Sequence, residues 1–191
     1  MGRWEPNARG RLERAALELY IERGFDQTTV AEIASRAGLT ERTFFRHFAD
    51  KREVLFGRSP ELRESLAGAV AAAPGSTAPL DAIAEALESV SGLFEERRDS
   101  VRQRQTVIAA HAELRERELI KLASLAEAIA EALRGRGVTE PAASLAAEAG
   151  IGMFKIAFER WVATLDHQDL SHHIRETLAE LRAVTASTVR V

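Results

Sequence analysis

Between Thr28 and Phe48 two short helical segments are joined by almost nothing. Thr29 to Ala37 reads as one helix and Thr40 to His47 as the next, with Gly38 and Leu39 as the whole connection. Helices linked so tightly must cross at a steep angle. That requires a small residue where the backbones approach, which Ala34 supplies, and a residue tolerant of positive φ at the turn, which Gly38 supplies. Val30, Ile33, Ala37, Leu39 and Phe44 fall where a buried seam is needed, and Thr29 and Thr40 are suitable N-caps. Phe44 and Phe48, four apart, face inward together and leave Glu41, Arg42, Phe45 and Arg46 outside.

The rest of the chain also reads as helix. Ala, Leu, Glu and Arg dominate, and no run of β-branched or aromatic residues alternates at period two. The expected fold is all-α, with about nine helices: an N-terminal three-helix helix-turn-helix domain over residues 1–56 and a larger helical domain over 57–191. A first helix is predicted from about Asn7 to Arg23, with Gly24 as its C-cap, and a fourth begins after Asp50. The Pro- and Gly-rich stretch from Ala71 to Pro79 reads as a loop, a break is expected near Asp99, and Pro141 suits the first turn of a later helix. The last helix is predicted from about Asp169 to Thr188.

Ala34, Gly38 and Phe44 together match the spacing of DNA-binding helix-turn-helix units. A protruding second helix bearing Arg42 and Arg46 can enter a major groove, where arginine reads the O6 and N7 atoms of guanine. Charge is distributed in keeping with this. Residues 1–58 carry 11 Lys and Arg against 9 Asp and Glu, or +2, whereas residues 59–191 carry 15 against 20, or −5.

The run from Gly38 to Phe56 resembles the DNA-binding signature of the tetracycline-repressor (TetR) family, and Ala15-Ala16, Gly24-Phe25 and Thr29 to Ala34 fit the same pattern in register. The resemblance implies that Thr28 or Thr29 and Lys51 hold phosphates, and that Thr40, Arg42, Thr43 and Arg46 lie in or near the groove, with Glu41 and His47 beside them. One position departs from the pattern. Phe45 stands where the family usually has a phosphate-binding tyrosine, leaving apolar contact with a thymine methyl or a sugar. The N-terminal arm, Arg3 to Arg11, reads as disordered, with insertion into a minor groove as the alternative.

In the larger domain, residues 141–165 hold only four charged side chains, Glu148, Lys155, Glu159 and Arg160. A helix apolar nearly all round must be covered on several sides, so a partner subunit is expected. Gly150 and Ile151, with Leu170, Ile174, Leu178 and Leu181 of the striped last helix, are the candidate dimer residues; Gly152 and Val184 continue the same two helices. By the family resemblance these helices form a four-helix dimer interface, and the intervening helices enclose a sensor cavity. Phe94, Arg104, Ile108, His111, Met153, Phe154, Phe158 and Trp161 are its candidate effector residues, with Arg104 and His111 to fix a polar end of a mostly apolar or aromatic effector.

Other functions find little support. There is no cysteine, Gly-rich phosphate loop or His-Glu pair at metal-ligand spacing, so no catalytic residue, cofactor or metal is expected. His167, His172 and His173 read as solvated surface residues. No apolar run or signal peptide points to a membrane, and a cytoplasmic location is expected. The expected partners are an operator in double-stranded DNA, a second copy of the chain and a small-molecule effector. The alternative is a helical module that docks a protein and no longer binds DNA.

Overall fold

The computed structural model describes residues 7–164 and 168–186; the outer part of the N-terminal arm, His167 and the end predicted for the last helix lie outside them. The described residues form nine α-helices, one short 3-10 helix and no strand. In chain order these are α1 (Ala8–Arg23), α2 (Val30–Arg36), α3 (Glu41–His47), the 3-10 turn (Glu53–Phe56), α4 (Ser59–Ala72), α5 (Pro79–Glu95), α6 (Arg98–Ala110), α7 (Ala112–Gly135), α8 (Ala142–Ala163) and α9 (Leu170–Ala186). The arm from Ala8 to Arg11 is therefore the first turn of α1, capped by the Asn7 side chain, which accepts from the Gly10 N–H at 2.9 Å. The break expected near Asp99 falls earlier, between Glu95 and Arg98, and Asp99 lies inside α6.

Two compact units result, and they are not contiguous in sequence. The first joins Met1–Ser59 with Asp99–Glu118; the second joins Pro60–Arg98 with Leu119–Val191. Most of α6 and the start of α7 thus group with the helix-turn-helix. Leu12, Ala16, Leu19, Phe25, Ile33, Phe44, Phe48 and the 3-10 turn form a core that also takes in Val107, Ile108 and Leu114. These three apolar side chains are removed from water there, which explains the grouping.

In the second unit, α5, α8 and α9 pack against one another in all three pairings. A Cβ on Gly150 would stand 2.7 Å from a methyl of Ile83, so this glycine lets α8 close onto α5. Gly150, Ile151, Leu170, Ile174 and Leu178 are consequently buried within one chain, and Leu181 is half-buried. They hold α8 and α9 on their own domain. The apolar side chains left open on these helices are Leu145 and Ile156 of α8 and Val184 of α9. His173 is also turned inward, only 4% exposed, whereas a solvated surface position was expected.

Candidate functional site

The helix-turn-helix is built from local rules. Thr29 accepts from the Glu32 N–H while the Glu32 carboxylate accepts from the Thr29 N–H at 2.9 Å, a reciprocal capping box that starts α2. Those hydrogen bonds from Thr29, with Arg23 nearby, hold the Glu32 carboxyl below its ordinary range. Gly38 then takes φ +64°, and the Leu39 N–H returns to the Ala34 carbonyl at 2.8 Å, closing the turn. Arg11 of α1 donates to the Ala37 carbonyl and braces it from outside.

Thr40 caps α3 by accepting from the Thr43 N–H at 3.2 Å, and its hydroxyl lies 3.1 Å from that of Thr43. Phe44 is fully buried, so the opposite face of α3 is presented to solvent: Glu41, Arg42, Phe45, Arg46 and His47 are all exposed, and Thr43 is half-exposed. Phe45 is 55% exposed, a large aromatic standing out on a polar surface. Arg42 and Arg46 are four apart on that face. Among the described residues neither is in an ion pair, in contrast to Arg23, Arg36 and Arg52, which hold Glu32, Glu22 and Asp50. Partial burial, followed by the charges of Arg46 and Arg9, pushes the His47 imidazole below its ordinary pKa.

Three expected phosphate contacts are placed differently from one another. Thr29 is exposed at the start of α2, where an anion can approach. Thr28 is 1% exposed, and its hydroxyl donates to the Gly24 carbonyl at 2.8 Å. Lys51 donates to the carbonyls of Phe25, Asp26 and Thr28 at 2.8, 3.3 and 3.0 Å, with its ammonium 4.4 Å from the Phe25 ring centroid. An ammonium has three protons, so this lysine is committed to closing the turn after α1. The buried Tyr20 hydroxyl donates to the Lys51 carbonyl at 2.6 Å, and its own pKa is raised by burial. Thr28 and Lys51 therefore support the start of α2 from behind.

The candidate effector residues divide between the units. Arg104, Ile108 and His111 belong to the first. Ile108 is core there; Arg104 donates from Nε to the Leu55 carbonyl at 2.6 Å and lies over Phe56; His111 packs on Phe25 with 5.2 Å between ring centroids and donates from Nδ1 to the Val107 carbonyl at 2.8 Å. Arg117 adds an ion pair to Glu53 of the 3-10 turn. These side chains fasten α6 and the start of α7 to the helix-turn-helix.

Phe94, Met153, Phe154, Phe158 and Trp161 belong to the second unit, and four of them form one aromatic cluster. Phe94 lies 6.1 Å from Phe154 and 5.7 Å from Phe158 between ring centroids, Phe154 and Phe158 are 5.6 Å apart, and Phe158 and Trp161 are 5.8 Å apart. Phe94 and Phe158 are half-buried and give the cluster an open side, while Trp161 is fully buried. Arg98 lies over the indole of Trp161 at 5.1 Å, a neighbour that the helical pattern did not single out.

Comparison with known proteins bears on this arrangement. Residues 13–56 match the bacterial regulatory proteins of the tetR family, and residues 77–186 match the MftR C-terminal domain. The transcriptional regulator MftR of Mycobacterium tuberculosis is 26% identical over 85% of this chain and 83% of its own length. The HTH-type transcriptional regulator TcmR of Streptomyces glaucescens is 39% identical, but over only 44% of this chain and 37% of TcmR. Among solved structures, Thermus thermophilus FadR in complex with lauroyl-CoA aligns at TM-score 0.56 and 24% identity, covering 96% of both chains. The SmeT–triclosan complex aligns at TM-score 0.66 and 18% identity, covering 93% of this chain and 90% of SmeT. Both structural likenesses establish the fold.

Proposed function

The chain belongs to the TetR family of bacterial regulatory proteins, with a C-terminal domain of the MftR type, and is a DNA-binding transcriptional regulator; we propose that it represses as a homodimer and is released from its operator by a small, apolar-bodied effector. The observation that carries this reading is the exposed face of α3. Two exposed arginines, without an ion pair among the described residues, an unburied phenylalanine and a histidine stand there on a helix whose other face is locked into the core. Arg42 and Arg46 reach base edges, Thr40 and Thr43 line the groove wall, Glu41 borders it, and Phe45 packs on a thymine methyl or sugar. Thr29 meets a phosphate at the start of α2.

A palindromic operator demands two such helices one helical turn apart, about 34–36 Å. In this reading Leu145, Gly152 and Ile156, spaced seven and four along α8, meet their copies with Val184 of α9. The effector enters at the open side of the aromatic cluster. Solved structures of the same fold hold lauroyl-CoA, which joins a long acyl chain to a polyanionic coenzyme A, and the aromatic triclosan; the acyl chain and the aromatic rings support an apolar body. Arg104 and His111 transmit the change; they do not touch the effector. α6 begins at Arg98 and includes Arg104. Release then requires an effector that binds two states with different affinity. The reading includes no catalytic step and places the protein in the cytoplasm with its DNA; no described helix is long and apolar enough to cross a membrane.

Nuclease footprinting of the DNA upstream of the protein's own coding sequence tests this. Two protected half-sites one helical turn apart are expected; protection of a single half-site, or of none, overturns the dimeric-repressor reading.

A further inference from the structure

Two buried donors in the aromatic cluster have no acceptor among the described residues. The indole N–H of the fully buried Trp161 has no hydrogen-bond partner, and neither does the buried Nε–H of Arg98, whose guanidinium lies over that same indole. An unmet buried N–H is costly, so a native fold rarely leaves two together without a use for them. Among the described residues no carboxylate lies within ion-pair distance of Arg98. Glu95, the acid one turn before it, accepts from the Leu170 N–H at 2.7 Å and so caps α9. Arg98 does donate from Nη2 to the carbonyls of Trp161 and Thr164, at the end of α8, but both contacts are 3.4 Å long and involve only that nitrogen.

We propose that Arg98 and Trp161 read an anionic head group on the effector, and that the effector is an apolar-bodied carboxylate. The reading rests on the aromatic cluster being the effector site, and it replaces the mostly apolar effector with an amphipathic one. Phe94, Phe154 and Phe158 take the apolar body. The head group brings to the bottom of the cluster the acceptors that Nε–H and the indole N–H lack, and neutralises the charge of Arg98. One cation with two single donors suits a monoanionic carboxylate better than a dianionic phosphate, which would leave a buried negative charge uncompensated. Arg98 is the first residue of α6, so the head group is held at the end of the helix that bears Arg104.

Isothermal titration calorimetry on the full chain, using naphthalene-2-carboxylate, naphthalene-2-methanol and 2-naphthyl phosphate as probes, tests the proposal. The carboxylate should bind at least tenfold more tightly than the neutral alcohol. Arg98→Met, which keeps an apolar stem over the indole, and Trp161→Phe, which keeps a ring but removes its N–H, should each reduce that preference severalfold while leaving alcohol binding in place. A purely helix-capping Arg98 would lower thermal stability without changing the preference. Equal binding of carboxylate and alcohol, with both weakened by Phe158→Ala, overturns the head-group assignment and leaves the effector site standing. Binding insensitive to Phe158→Ala, or no binding of any probe, overturns both. Tighter binding of the phosphate than of the carboxylate overturns the choice of a monoanion.

Discussion

Arg104 Nε donates to the Leu55 carbonyl at 2.6 Å, joining α6 to the 3-10 turn that follows the recognition helix, across 49 positions of sequence. Burial lowers the pKa of this guanidinium, with Glu118 3.5 Å away opposing the shift, yet the group stays charged because arginine's ordinary value is so high. Arg104→Met keeps the stem against Phe56 and removes the bond. It should cost about 2 kcal/mol of stability, the usual worth of a hydrogen bond from a charged donor, and loosen the effector's hold over operator affinity. Chemical denaturation and operator titration with and without effector measure the two effects.

Lys51 separates a structural role from a DNA contact. Its ammonium closes the turn after α1 through three carbonyls. Lys51→Met should therefore lower the melting temperature by several degrees, corresponding to roughly 2 kcal/mol, and leave the salt dependence of operator binding unchanged. A phosphate contact would instead reduce the salt slope by about one with little loss of stability. Melting curves and salt titrations on the same variant decide between them.

Arg42 and Arg46 carry base readout in this account. Arg42→Ala and Arg46→Ala should each weaken operator binding by about 1–3 kcal/mol while leaving non-specific binding much less affected. Phe45→Ala should weaken the operator complex as well, by severalfold, through lost apolar contact. Competition between operator and scrambled DNA measures all three, and unchanged affinity for Phe45→Ala would remove that residue from the interface.

His47 should make operator binding respond to pH. Its pKa is depressed in the free protein, so the ring is neutral at pH 7. Phosphate nearby favours the protonated form, so binding takes up a proton and operator affinity should rise as pH falls from about 7.5 to 5.5. The free protein should behave oppositely, losing some stability over that range because the unfolded chain binds the proton more readily. His47→Gln should flatten the affinity profile; a profile of wild-type steepness in that variant rules the group out.

The exposed face of α8 predicts the oligomer. Ile156 is 51% exposed in the single chain. Ile156→Glu would put a charge into an apolar contact, and should raise the dimer dissociation constant by roughly a hundredfold. Light scattering after size exclusion reads this directly. The same substitution at the buried Ile174 should unfold the domain instead.

How much was legible in the sequence depends on whether a constraint is local. The capping threonines, the positive φ at Gly38 and the inward Phe44 are decided within one or two turns of chain, and the predicted boundaries of α1 to α3 agree with the structure to within a residue or two. The apolar stripe of α9 was equally visible, but periodicity identifies a face and not what covers it. Leu170 and Ile174 are covered within their own domain, leaving the partner face to other residues. Arg104 and His111 looked like pocket residues because polar groups among apolar neighbours have the same pattern whichever core they enter. Only the packing of α6 against Phe25 and Phe56 distinguishes the two. Arg98 left no periodic signal at all, since its interest lies in a stacking partner 63 residues away.

The central claim, that this chain recognises operator DNA through α3, is tested most directly by fluorescence-anisotropy titration of the full chain against its own upstream DNA and a scrambled control at several salt concentrations. The account predicts tight binding that prefers the native fragment and weakens steeply with salt, since phosphate contacts release counterions. Absence of binding even at low salt would contradict it and favour a domain that docks another protein.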